Sequence, residues 1–218
     1  MEQTKKHLKV PFIAELDRGS LEEACHLLVE KGCVHSMSAV NWGDNYSYKP
    51  VASFSLAHGK NDLYVRFFVH GNCLRAVNHT DQSPVEEDSC VGLVLRNQDS
   101  DQIFDFAFNC IGTCLATRKT ATEKHLLDIS LLRSIRRFTD LQPRAFCEME
   151  GLFHWQVVVA LPFHLLGITS ETLPFVLSGN FYKRADATAL PHYLSWIPVK
   201  NAHPDFAHPE CLGELVLE

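Results

Sequence analysis

The chain is 218 residues long, with 26 acidic and 20 basic side chains and a formal net charge of -6. That balance, with no dense Lys/Arg block, excludes a nucleic-acid-binding face, because phosphate binding needs concentrated positive charge. No stretch approaches the roughly 18–20 apolar residues of a membrane span, so no membrane partner is expected either.

The opening stretch, MEQTKKHLKVPFIAELDRG, has basic residues but neither the apolar run nor the small-residue cleavage site of a secretory signal, so a cytoplasmic location is expected. Eight scattered cysteines without a CxxC pair exclude a zinc ribbon or a thioredoxin-type motif. Buried free thiols in a reducing compartment are the better account. The length falls in the range of roughly 200–250 residues that β-sandwiches occupy as single domains, and no linker or repeat divides the chain; one domain over 1–218 is expected.

In chain order, the spacing predicts a helix over Leu21–Lys31, with Leu21, Ala24, Cys25, Leu28 and Val29 on one face. Ser20 and Glu23 form a capping box and Gly32 ends it. From Val51 the period changes to two. In DLYVRFFVH, Leu63, Val65, Phe67 and Val69 share one face and Tyr64, Arg66, Phe68 and His70 the other, which suits a central strand. Further strands are expected at Cys90–Leu95, Ile103–Asn109 and Gly112–Thr117. Leu126–Phe138 reads as helix or loop at its start and strand at its end, with Arg133, Arg136 and Arg137 on a solvated helical turn. Phe153, Trp155, Val157, Val159 and Leu161 alternate along a strand that Pro162 stops, followed by a helical turn at Phe163–Gly167. Strands at Gly179–Arg184, His192–Trp196 and Leu212–Leu217 complete an all-β sandwich with a short N-terminal helix.

Several residues invite chemistry. In GNFYKR, period two puts Asn180, Tyr182 and Arg184 on one face, an amide, a phenol and a guanidinium suited to sugar hydroxyls; the alternative is a solvated edge. Trp196, bracketed by Pro191 and Pro198, is either a stacking ring or a packed one. The acidic run Asp81, Glu86, Glu87 and Asp88 has the oxygens calcium wants but not the spacing of an EF-hand, so a solvated acidic turn is expected. His203, Asp205 and His208 sit in a proline-stiffened segment with no reason to converge on a metal. There is no GxSxG elbow. Glycosidase chemistry would need two carboxyls about 5–10 Å apart, which sequence does not display.

Four segments, PVEEDSCVGLVL, FDFAFNCIGTCL, GNFYKR with YLSWIPV, and PDFAHPECLGELVLE, resemble in order the family 9 carbohydrate-binding modules. The resemblance implies a jelly-roll-like β-sandwich, often with structural cations such as calcium, that binds a mono- or oligosaccharide without catalysis. Asp88 and Ser89 match the family's DS motif. Gly92 stands where the family has a glutamate, and Val85 where an aromatic would be. By the same resemblance Trp196 would stack on a sugar ring while Asn180, Tyr182, Arg184, Asp105 and Asn109 meet hydroxyls. The competing classes are a glycoside-active enzyme and a structural or interaction sandwich.

Overall fold

A computed structural model describes residues 6–169 and 174–218; most of the lysine-bearing start of the chain lies outside them. Two sheets face each other. The larger contains β1 (His7–Val10), β3 (Ala39–Val40), β6 (Cys90–Asn97), β7 (Ile103–Asn109), β8 (Cys114–Lys119), β9 (Lys124–Leu126), β12 (Phe175–Ala185), β13 (His192–Ser195) and β14 (Gly213–Leu217). Its main path runs β1-β14-β12-β6-β7-β8-β9, with β13 and β3 continuing from β12. The smaller contains β2 (Cys33–Ser36), β4 (Val51–His58), β5 (Asp62–Ala76), β10 (Arg136–Thr139) and β11 (Phe146–Pro162), in the order β10-β11-β5-β4-β2.

The core lies between the sheets because the period-two apolar rows of both point inward. Leu63, Val65, Phe67 and Val69 of β5 and Trp155, Val157, Val159 and Leu161 of β11 are all buried there, against Leu93, Phe106 and Phe181 of the facing sheet. β5 is central as expected, flanked by β4 and β11, and Pro162 occupies the last position of its strand. The outer side of β5 is covered in part, at Tyr64, for a different reason. Helix α1 (Leu21–Glu30), closed by the Ser20–Glu23 capping box, lays Ala24, Cys25 and Leu28 on Tyr64, Val158 and Ala160. Its buried face is narrower than expected, since Val29 is exposed.

The ambiguous stretch resolves into a one-turn helix α2 (Ile129–Leu132), capped by Asp128, followed by β10. The three arginines do not share a solvated turn. Arg136 donates to Tyr64 Oη at 2.6 Å, and Arg137 grips Asp81 bidentately at 2.7 and 2.8 Å. Strand pairing, rather than helical spacing, decides where they point.

Trp196 follows β13 and is also an inward residue, correcting its expected role as an exposed stacking ring. Tyr193 and Ser195 point outward, so the next odd step along the strand turns Trp196 toward the core, where its backbone N–H donates to Phe181 O at 2.9 Å. Its ring meets Phe54 and Phe181 edge-on at 6.0 and 6.1 Å. Removing such a side chain costs about 3–5 kcal/mol. Trp196→Ala is expected to lower the denaturant-unfolding free energy by that amount; a loss under about 1 kcal/mol would show that the ring is not a core element.

Candidate functional site

The outer face of the larger sheet carries a second buried layer. Val85, Val94, Ile103, Ala107, Tyr182, Tyr193, Val199, Phe206 and Leu212 pack there, with half-exposed Trp42, Tyr46 and Leu115 at its margin. Three of the six residues singled out in the sequence meet in this layer. Register places Tyr182 opposite Gly92 and Asn180 opposite Val94, while Gly92 and Val94 face Ala107 and Asp105 on β7. Tyr182 and Asp105 are therefore diagonal neighbours across β6. Tyr182 Oη donates to Asp105 Oδ1 at 2.7 Å.

Gly92 makes this possible. A Cβ there would lie 2.3 Å from Tyr182 Cζ and 2.7 Å from the Phe106 carbonyl oxygen. The Tyr182 ring occupies the space above residue 92, lying flat on Phe206 with centroids 4.3 Å apart. Arg184 lies next along β12. Its Nε donates to Asp186 Oδ1 at 2.9 Å, a second nitrogen meets Oδ2, and the guanidinium sits over the rings of Tyr193 and Phe206 at 5.6 and 5.9 Å.

Around Asp105, Tyr182 and Arg184 a small cavity of about 30 Å³ is completed by Glu86, Ala107, Leu115, Thr117 and Lys124. Glu86 comes from the 3₁₀ turn Val85–Glu87, Thr117 from β8 and Lys124 from β9. Glu86 Oε2 and Thr117 Oγ1 are buried without a hydrogen-bond partner among the described residues. A cavity of this size holds one or two water-sized groups, such as an exocyclic hydroxyl. A whole pyranose would have to lie across its mouth.

Burial pushes the Asp105 carboxyl above the ordinary carboxylate range, against the opposing hydrogen bond from Tyr182. Burial likewise raises Glu86. For Arg184 burial works against the charge and Asp186 more than restores it, so the guanidinium stays protonated. The pocket thus juxtaposes two carboxyls, two hydroxyls and two basic side chains, a set able to donate to and accept from a polyol.

Asn180 and Asn109 do not join this pocket, which corrects their expected role. Asn180 is fully buried: its Nδ2 donates to Ile197 O and Cys211 O at 3.0 and 2.9 Å, and its Oδ1 accepts from the N–H groups of Phe181 and Ile197. Every donor and acceptor is spent on backbone. Asn109 donates to Asn78 O and Asp88 Oδ2 and accepts from Thr113 N.

The acidic run disperses rather than forming a solvated turn. Asp88 is buried and accepts from Val77 N and Asn78 N at 3.0 and 2.9 Å, Asp81 holds Arg137, Glu87 lies 3.9 Å from Arg75, and Glu86 enters the pocket. Among the described residues no group of three or more His, Cys, Asp or Glu is arranged to hold a metal.

Sequence reasoning missed Thr117, Lys124 and Trp42 as site residues and weighed Glu86 only for calcium. Thr117 alternates correctly on its strand, so period two could have placed it facing Asp105, its register partner. Trp42 carries a different signal. It is a non-glycine residue at φ 53, a conformation costing about 1–2 kcal/mol. Its indole N–H donates to Asn201 O at 2.7 Å, and its ring abuts Tyr193 and Phe206 at 5.5 and 5.9 Å.

A larger cavity of about 540 Å³ opens elsewhere, between β8, β9, α2 and the 3₁₀ turn Phe163–Leu166. Its walls are dominated by Phe104, Leu126, Leu131, Leu165 and Leu166. The smaller pocket is the better candidate for a polar ligand, because its unpartnered buried oxygens ask for one.

The chain is a β-sandwich with a small polar pocket set in an aromatic layer on the outer face of its larger sheet. Carbohydrate-binding family 9 matches this chain over residues 23–217, and the chain belongs to that family. A provisionally assigned carbohydrate-binding protein from Bacteroides uniformis superposes with a TM-score of 0.90 at 28% identity, covering 99% of this chain and all of its own. Two structures of a family 9 module from Caldicellulosiruptor kristjanssonii share the fold at 16% identity. The glucose complex gives a TM-score of 0.64, covering 98% of this chain and 96% of the module; the cellotriose complex gives 0.56, with 98% and 94%. No curated protein matches significantly.

The raised carboxyls give a pH signature. A group whose folded pKa lies above its unfolded value binds protons more tightly when folded. It therefore costs stability above the folded pKa, and the cost fades as pH falls toward the ordinary carboxylate range near 4. Asp105→Asn keeps an acceptor for Tyr182 Oη and removes the cost. The variant is expected to be more stable than the parent at pH 7, with the difference shrinking toward pH 4 in parallel urea titrations. An unchanged or widening difference on acidification would contradict a raised Asp105.

Proposed function

We propose that the chain is a non-catalytic carbohydrate-binding protein whose ligand, a mono- or oligosaccharide, lies across the mouth of the Glu86–Asp105–Arg184 pocket. The observation that carries this reading is the pair of buried oxygens without a partner among the described residues, Glu86 Oε2 and Thr117 Oγ1, on two residues that line one small cavity of about 30 Å³. Desolvated oxygens without partners cost roughly 1–3 kcal/mol each, a cost that a ligand hydroxyl reaching both would relieve. Lys124 and Arg184 supply donors at the rim, and half-exposed Trp42 and Tyr46 in the adjoining aromatic layer offer faces for the C–H side of a ring. Family membership and the glucose and cellotriose held by same-fold modules support the ligand class. Asn180 and Trp196 serve this site by holding β12 in place.

Isothermal titration with glucose, cellotriose and a panel of other mono- and oligosaccharides tests the reading. Binding is expected to weaken by about tenfold or more, roughly 1.4 kcal/mol, in Glu86→Gln and in Thr117→Val, and to persist in Trp196→Phe. No heat with any sugar at millimolar concentration would sink it.

One observation favours a second reading. Glu86 and Asp105 line the same cavity, and paired carboxyls are what glycoside hydrolysis requires. The cavity is too small to admit a glycosidic linkage between them, so binding stands first. Turnover of chromogenic glycosides that disappears in Glu86→Gln would reverse that order.

A further inference from the structure

The outer face of the smaller sheet is only partly covered by α1, and beyond the helix it carries an exposed pair of histidines. His70 of β5 and His154 of β11 are register partners on adjacent antiparallel strands, and both are exposed. Directly opposed residues project to the same side with Cβ atoms about 4.5–5.5 Å apart. Among the described residues neither imidazole has a hydrogen bond, ion pair or ring contact. On the other flank of His70 stands Val51, an apolar side chain that is 66% exposed and offers the ring no polar partner.

We propose that His70 and His154 form a two-nitrogen surface site for a borderline transition cation, separate from the sugar pocket on the opposite sheet. Neutral imidazole is a ligand for copper, nickel and zinc, with Cu(II) favoured over Zn(II) at nitrogen sites, whereas calcium takes oxygen ligands and has none here from this pair. The two rings are carried by the longest strands of the fold, fifteen and seventeen residues, paired on both sides of this position. Once one nitrogen binds, the second is held at high effective concentration, and the gain comes from the rigidity of the ladder. The remaining coordination positions are open to water or to a donor from another molecule.

Titrating the full chain with Cu(II), followed by calorimetry and electron paramagnetic resonance, tests the site. The parent is expected to bind one equivalent with two nitrogens in the equatorial plane. His70→Asn and His154→Asn should each weaken that equivalent by about tenfold or more, while His26→Asn, on the exposed side of α1, should leave it intact. Zn(II) should bind the same site more weakly, and Ca(II) should not compete. Either single variant binding Cu(II) as tightly as the parent, or an equal loss in His26→Asn, would overturn the proposal. Both histidines are exposed, so unchanged melting temperatures will separate lost ligation from lost fold.

Discussion

The polar face of this sandwich depends on one close approach, that of the Tyr182 ring to the bare backbone at Gly92. With any side chain at residue 92, Tyr182 could not lie flat against β6, stack on Phe206 and reach Asp105 across the intervening strand. Asp105 would then lose the donor that partly offsets its burial. At Gly92, where the resemblance would put a glutamate, the space above the backbone is filled by the phenol ring of the neighbouring strand. Glu86, from the preceding turn, brings a carboxylate to the same neighbourhood.

β12 shows how one strand divides its outward row. Asn180, deepest, has every amide atom committed to the backbone of the Ile197 and Cys211 segments, clamping the chain after β13 and before β14. Tyr182, next, is buried but keeps its hydroxyl at the cavity wall. Arg184, last, is half-buried and held between an acid and two rings. The gradient follows from where the strand passes beneath the C-terminal segments, which cover Asn180 and leave Arg184 near the opening.

Much of the fold was legible because the apolar rows alternate cleanly. Leu63, Val65, Phe67 and Val69, and Trp155 through Leu161, announce both their strand and its inner face, and the Ser20–Glu23 box announces α1. The site was half legible. Period two put Tyr182 and Arg184 on one face of β12, and the structure brings Asp105 of β7 to them across the intervening β6. Periodicity could not say that Asn180, on the same face, is sealed by a segment returning from residue 197, or that Trp196 falls on the inner side. Both depend on where loops cross the sheet, and loop paths leave no periodic trace. Glu86 was visible only as one acid among several, since its neighbours Asp81 and Asp88 are consumed by Arg137 and by backbone amides respectively.

The aromatic layer that flanks the pocket is assembled from distant parts of the chain: Trp42 and Tyr46 from before β4, Tyr182 and Tyr193 from the β12–β13 hairpin, and Phe206 from the segment that precedes β14. These parts also clamp the sheet, so a descendant of this protein cannot retune them without loosening its own architecture. Glu86 on its turn and Lys124 on the short edge strand carry no such double duty. Divergence in ligand preference among relatives built on this plan should accordingly accumulate at those two rims, while the strand between them stays the same.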